Sequence, residues 1–131
     1  LTPGTNARSF ILNEPFQDNT LTRDPGMWKL MGDQIRAVPG LELGGPSLHW
    51  LREALLECNA IMNAPVPTLP ALTFLGDNER IIDASAVHTK MDAWPSGTLR
   101  MVENAEHEVF MENPTTRATL TKEAVAFLDA L

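Results

Sequence analysis

Residues 71–76 read ALTFLG, a short apolar run closed by a glycine. A nearly continuous apolar run of this length is typical of a strand that is buried on both faces of a parallel sheet. Residues 98–102 (TLRMV) follow a Pro-Ser-Gly turn and form a second predicted strand. Between the two, Asp83 is a good N-cap for a helix that reaches about Trp94. The order strand, helix, strand predicts a parallel pair joined by a crossover helix, and hence an α/β fold.

Three further helices are predicted from their apolar spacing and from the start signals Asp24-Pro25, Pro46-Ser47 and Asn113-Pro114. They cover about 25–37, 47–62 and 114–131. The middle helix has an apolar stripe at spacings of three and four, so we expect its Cys58 to be a buried small hydrophobic residue. The inward residues expected on the last helix are Leu120, Ala124, Phe127, Leu128 and Leu131.

The predicted sheet is too small to stand alone, because two strands are marginal and a parallel sheet needs cover on both faces. We therefore expect these strands to be the last two of a wider sheet whose remainder lies upstream of Leu1. The chain also begins with leucine rather than methionine, which fits a processed chain or a piece of a longer one.

The composition of the chain indicates which classes of protein it can belong to. The 131 residues are 44% hydrophobic and 21% charged, as in a globular domain. Ten Lys and Arg stand against 17 Asp and Glu, giving a net charge of -7 without a basic stripe, which excludes nucleic acid as a main partner. No apolar run approaches the roughly 18 to 20 residues that span a bilayer. The single Cys58 cannot form an internal disulfide and fits a reducing compartment.

Two loops leave the carboxyl ends of the predicted strands, where open α/β sheets hold their ligands. The acid loop, residues 76–83, precedes the crossover helix, and the histidine loop, residues 103–110, contains His107. An acid followed by a histidine on such loops matches the last two members of a Ser…Asp/Glu…His triad, in which the carboxylate fixes the imidazole tautomer. The acids of the first loop are Asp77, Glu79 and Asp83.

The ordinary interpretation of the same residues stays open at this point. A histidine flanked by Glu106 and Glu108 is often a partly solvated loop residue, and Asp83 is expected to be a helix cap. His49 and His88 lie on the polar sides of predicted helices and are expected at the surface.

These loops resemble the C-terminal part of α/β-hydrolases, in particular bacterial lysophospholipases of the L2 type and monoacylglycerol lipases. The residues that carry the resemblance are 70–76 (PALTFLG), 79–83 (ERIID) and 104–108 (NAEHE). Upstream, 19–24 (NTLTRD) and 43–51 (LGGPSLHWL) are similar to the lid segment of the bacterial group. The resemblance extends over about residues 16–131.

The resemblance implies a division of the chain and a site. Residues 1–69 would be the lid or cap segment with its connector, and 70–131 the C-terminal part of the hydrolase core. By position, His107 would be the triad histidine and Glu79 the triad acid. Asp77 remains an alternative, because the family more often has aspartate as its acid, and Asp83 is a weaker one.

The family's nucleophile motif, Gly-x-Ser-x-Gly, is absent from this sequence. None of the four serines has the flanking glycine pair: Ser9, Ser47, Ser85 and Ser96. We therefore expect the nucleophilic serine on the N-terminal half of the same hydrolase, and we expect this chain to be inactive by itself.

The function implied by the resemblance is hydrolysis of carboxylic esters through an acyl-enzyme, with lysophospholipids or monoacylglycerols as substrates. It implies no cofactor and no metal, a lipid or ester as the small-molecule partner, and a cytoplasmic location with peripheral contact to the inner membrane. The alternative is a non-catalytic, hydrolase-like binding or interaction module.

Overall fold

The computed structural model describes residues 7–131. Leu1 and the five residues after it lie outside this range, and with them the start of the predicted 1–69 segment. The helices and strands, in chain order, are α1 Phe10–Asn13, α2 Pro25–Ala37, α3 Leu48–Asn63, β1 Ala71–Gly76, α4 Ala84–Asp92, β2 Gly97–Val102 and α5 Pro114–Asp129. Short 3-10 turns occur at Phe16–Asp18, Pro39–Leu41 and Val109–Met111.

The predicted parallel pair is confirmed. β1 and β2 pair in parallel from Ala71 opposite Gly97 to Gly76 opposite Val102. Because the two strands end at the same register position, the acid loop and the histidine loop leave from the same edge. β1 is only half-buried until Leu75, since it has one neighbouring strand in the described chain, so the expected burial on both faces is not seen.

Four helix starts were predicted from polar capping residues, and all four are confirmed. A side-chain oxygen at each start accepts backbone N–H groups that have no partner within the helix. Those capping residues are Asp24 for α2, Ser47 for α3, Asp83 for α4 and Asn113 for α5.

The core lies directly under the histidine loop. Its buried residues come from the end of β2, the loop itself, the following turn and α5, and Phe74 of β1 packs against them. The rings of Phe74 and Phe110 also meet edge to face, with centroids 5.5 Å apart. The buried cluster consists of Val102, Ala105, Val109 and Leu120.

Two predictions about burial are wrong. No residue of α3 is buried, and Cys58 is exposed, because the spacing of a stripe identifies a shared helix face but not a surface that covers it. On α5, Leu120 is buried as expected and Ala124 and Phe127 are half-buried, but Leu128 and Leu131 are exposed. His49 and His88 are exposed, as predicted.

The chain separates into two compact units. One contains the described residues up to Asn19 together with Trp28–Ala64, and the other contains Thr20–Met27 and Pro65–Leu131. The second unit holds both strands and both loops. The assignment of residues 1–69 to a lid or cap and 70–131 to a hydrolase core stays a prediction.

Candidate active site

The structure brings together Glu79 and His107, the two residues selected from the sequence. Glu79 Oε2 lies 2.6 Å from His107 Nδ1. The Glu79 side chain is only 3% exposed, whereas the His107 side chain is 30% exposed. The buried Glu79 carboxylate therefore contacts Nδ1 of an imidazole ring that is partly exposed to solvent.

The acid loop is fixed by backbone hydrogen bonds to the other strand and loop. The Asp77 N–H donates to the Val102 carbonyl at 3.0 Å, and the Asn78 N–H donates to the Ala105 carbonyl at 3.1 Å. The Glu79 N–H then closes a turn onto the Gly76 carbonyl at 3.3 Å. This turn places the Glu79 side chain at the sheet edge from which the histidine loop also leaves.

The two oxygens of the Glu79 carboxylate have different partners. Oε1 accepts the backbone N–H groups of Ile81 at 2.5 Å and Ile82 at 3.2 Å, and Oε2 faces His107. Burial raises the pKa of Glu79, but the hydrogen bonds from Ile81, His107 and Ile82, together with the charge that His107 carries when it is protonated, outweigh this effect, so the net pKa is lowered. Glu79 is thus an anion at neutral pH.

An anion at this position selects one form of the histidine. A carboxylate only accepts hydrogen bonds, so His107 Nδ1 carries the proton and donates it to Glu79. The neutral imidazole then has its lone pair on Nε2, which can accept a proton from another group. The pair has the chemistry of an oriented general base.

The other two acids of the acid loop accept hydrogen bonds from backbone N–H groups. Asp77 Oδ1 accepts the Ala105 N–H at 3.3 Å, and Asp83 Oδ1 accepts the Ser85 N–H at 2.9 Å as the cap of α4. Of the three acids in this loop, Glu79 is the one in contact with His107. This geometry favours Glu79 over Asp77 and Asp83 as the acid of the pair.

Two buried glutamates next to His107 were not identified as site residues from the sequence. Glu106 accepts the Arg80 guanidinium at 3.1 Å and the Asn78 side-chain amide, and so ties the histidine loop to the acid loop. Glu112 accepts the Glu106 backbone N–H at 2.8 Å. The sequence favours solvated positions for acids in a loop, and it carries no local signal that these two are buried.

The upstream motif NTLTRD also contacts the histidine loop. The His107 N–H donates to the Thr20 carbonyl at 3.3 Å, and the Glu108 N–H donates to the Leu21 carbonyl at 2.8 Å. Most of the motif lies in the same compact unit as the strands, although the resemblance placed it in the lid segment.

Within residues 7–131, no group of three or more His, Cys, Asp or Glu side chains is arranged to hold a metal ion. None of the helices in that range is long and apolar enough to cross a membrane.

No protein-family model matches the sequence. The chain is 30% identical over 115 residues to the probable lysophospholipase L2 of Haemophilus influenzae, covering 85% of this chain and 36% of that protein. It is 23% identical over 124 residues to lysophospholipase L2 of Escherichia coli K12, covering 88% of this chain and again 36% of the relative. The chain thus spans little more than a third of the length of these relatives.

Among solved structures, the fold is similar to that of a soluble variant of monoglyceride lipase from Saccharomyces cerevisiae, determined in complex with a substrate analogue. The TM-score is 0.63 at 19% identity, over 85% of this chain and 40% of that chain. That enzyme is an α/β-hydrolase, which confirms the predicted fold class. The chain therefore has the fold of part of an α/β-hydrolase, and in sequence it resembles the C-terminal part of lysophospholipase L2.

Proposed function

We propose that this chain supplies the histidine and the acid of a serine hydrolase that cleaves the carboxylic esters of lipids. The 2.6 Å contact between Glu79 Oε2 and His107 Nδ1 carries the proposal. It joins a buried anion to a solvent-accessible imidazole on the loops that follow two adjacent parallel strands. In this proposal the nucleophilic serine belongs to a segment of the same hydrolase outside these 131 residues.

The proposed reaction proceeds in two halves. His107 Nε2 takes the proton of the serine hydroxyl as the serine oxygen bonds to the ester carbonyl carbon, and Glu79 stabilises the imidazolium that forms. The imidazolium then gives this proton to the leaving alcohol as the ester C–O bond breaks, which leaves an acyl-enzyme. Water repeats the sequence, with His107 taking its proton and returning it to serine, and the fatty acid is released.

The substrate class in the proposal is lysophospholipids or monoacylglycerols. The names of the relatives in Haemophilus influenzae and Escherichia coli support the first, and that of the yeast structure supports the second. Both lipids partition into membranes, so we include in the proposal a cytoplasmic enzyme that acts peripherally at the inner membrane. Residues 1–69 would contribute the lid or cap segment with its connector.

A second candidate function is a hydrolase-like binding or interaction module without catalysis. The observation that favours it is the lack of a Gly-x-Ser-x-Gly motif anywhere in the 131 residues. The two candidates differ in one measurable property, the presence of a reactive serine in the natural protein.

The test begins with a fluorophosphonate, which reacts with activated serines, followed by intact mass spectrometry of the natural protein that contains this sequence. The hydrolase predicts an adduct on a serine outside these residues, and the His107→Ala variant should abolish both the adduct and turnover of a lysophospholipid. His88→Ala is the matched control, because His88 is exposed on α4 and should leave both unchanged. The absence of an adduct on the natural protein would favour the non-catalytic module.

A further inference from the structure

The histidine loop is also held by a polar cluster that the proposed chemistry does not use. The cluster joins residues 20–24 to the end of the histidine loop and to the turn Val109–Met111. Its two central side chains are Thr22, 1% exposed, and Glu112, 2% exposed. Both lie in the compact unit that contains Glu79 and His107.

Glu112 holds two segments of the chain with one carboxylate. Its Oε1 accepts the Glu106 N–H at 2.8 Å, immediately before His107, and its Oε2 accepts the Arg23 N–H at 3.1 Å. A buried carboxylate loses its hydration, so it needs such donors to remain where it is. Glu112 holds both backbone segments in place, because moving either one away would leave the buried carboxylate charge without one of its hydrogen-bond donors.

Thr22 contacts the turn Val109–Met111 through its hydroxyl group. Its hydroxyl donates to the Met111 carbonyl at 2.6 Å and accepts the Asp24 N–H at 3.0 Å. The carbonyls of Thr20 and Leu21 accept the N–H groups of His107 and Glu108. The backbone of His107 is thus anchored directly by its own amide and, one residue earlier, by Glu112.

This arrangement matters for the pair because a hydrogen bond as short as that between Glu79 and His107 tolerates little displacement of either residue. The Glu79 side is held by its own loop, through the N–H groups of Ile81 and Ile82. On the His107 side, the buried residues Ala105 and Val109 anchor the histidine loop in the hydrophobic core. Hydrogen bonds to Thr20, Leu21 and Glu112 hold the backbone of the loop around His107.

We propose that Glu112 and Thr22 are positioning residues that hold His107 in hydrogen-bonding contact with Glu79. This inference deepens the proposed function and rests on it, because the imidazole orientation matters only if His107 is the base. It also assigns a role to the NTLTRD motif: residues 20–24 support the histidine loop in addition to starting α2.

The experiment is nuclear magnetic resonance of the natural protein that contains this sequence, labelled with ¹⁵N-histidine, in which the His107 signal is the one lost in His107→Ala. Of the three histidines in these 131 residues, the exposed His49 and His88 serve as internal references. The wild type should show His107 as the Nδ1–H tautomer, with a slowly exchanging downfield proton. In Glu112→Gln and Thr22→Val, exchange of that proton should become roughly tenfold faster or more, as expected for the loss of a buried hydrogen bond.

Conservative and matched variants separate positioning from general destabilisation. Thr22→Ser keeps the hydroxyl and should restore the slow exchange. Thr119→Val and Glu123→Gln remove an exposed hydroxyl bond and an exposed ion pair on α5, and they should leave the His107 signal unchanged.

Three results would overturn the inference. Exchange at wild-type rates in both Glu112→Gln and Thr22→Val would show that the cluster does not position His107. Unfolding of both variants, seen by circular dichroism, would show that the cluster serves the fold rather than the histidine. A wild-type His107 without the Nδ1–H tautomer would contradict the Glu79–His107 pair itself, and with it the proposed function.

Discussion

Gly76 and Ala105 lie in direct backbone contact at the end of the sheet. A Cβ atom at Gly76 would stand 2.4 Å from the Ala105 carbonyl oxygen and 2.5 Å from that of Glu106. The same Ala105 carbonyl accepts the Asn78 N–H, so the two loops of the site meet where β1 ends. The absence of a side chain at position 76 is what allows His107 to approach Glu79.

Gly76→Ala should destabilise the protein. The added methyl meets backbone atoms, which cannot move aside without displacing the histidine loop, and overpacking of this kind costs about 1–3 kcal/mol. Urea denaturation followed by circular dichroism measures the loss. Gly40→Ala is the matched control, because nothing lies within 4 Å of a Cβ placed there. Equal midpoints for the two variants would contradict the contact.

Glu79→Gln should reduce the turnover number of the proposed hydrolase by about 10³- to 10⁴-fold, because an amide in place of the anion neither selects the Nδ1–H tautomer nor stabilises the imidazolium. Substrate affinity should change little. The measurement is steady-state hydrolysis of a lysophospholipid. Glu108→Gln in the histidine loop is the control, since Glu108 is exposed. Loss of activity in Asp77→Asn but not in Glu79→Gln would instead identify Asp77 as the acid.

The lowered pKa of Glu79 makes a prediction about stability and pH. A group whose pKa is lower in the folded state stabilises the protein above its unfolded pKa, here near the ordinary value of 4.5, and this contribution disappears as pH falls through the folded value. The difference in free energy of unfolding between wild type and Glu79→Gln should therefore be largest near neutral pH and shrink below about pH 4.5. Urea denaturation of the natural protein and of its Glu79→Gln variant from pH 7 to pH 3 measures it; a difference that grows on acidification would refute the assignment.

Leu120→Ala should cost about 2–5 kcal/mol of unfolding free energy, because Leu120 is fully buried in the cluster beneath the histidine loop. Leu128→Ala on the same helix should change it by less than about 0.5 kcal/mol, because Leu128 is exposed. Thermal or chemical denaturation of the two variants compares them directly. Similar losses would mean that α5 buries a wider face than the structure has.

The Glu79–His107 contact was within reach of the sequence for a topological reason. Once 71–76 and 98–102 were identified as neighbouring parallel strands, their following loops had to meet at one edge. Which of the three acids faces His107 was harder, because all three lie within seven residues of one another. The resemblance favoured Glu79, and the distance of 2.6 Å agrees with that choice.

The sequence by itself determined the features that depend on neighbouring residues, namely the helix starts and the two strands. Helix starts at Asp24, Ser47, Asp83 and Asn113 depend on a side chain and the amides two or three residues later, so the pattern suffices to locate them. The two strands were likewise predictable, because 71–75 is a nearly continuous apolar run closed by a glycine and 98–102 follows a Pro-Ser-Gly turn.

Only the tertiary structure decided which surfaces are covered and which distant polar groups meet. Cys58 lies on a regular apolar stripe, yet it is exposed, because burial depends on a second surface and not on periodicity. Thr22 meets the Met111 carbonyl across 89 positions of sequence, and Glu112 binds the Arg23 amide across the same separation. The members of each pair are far apart in sequence, so no local pattern predicts that they meet. Folding brings them together, and each buried polar side chain then makes its hydrogen bond to the distant backbone group of its own pair.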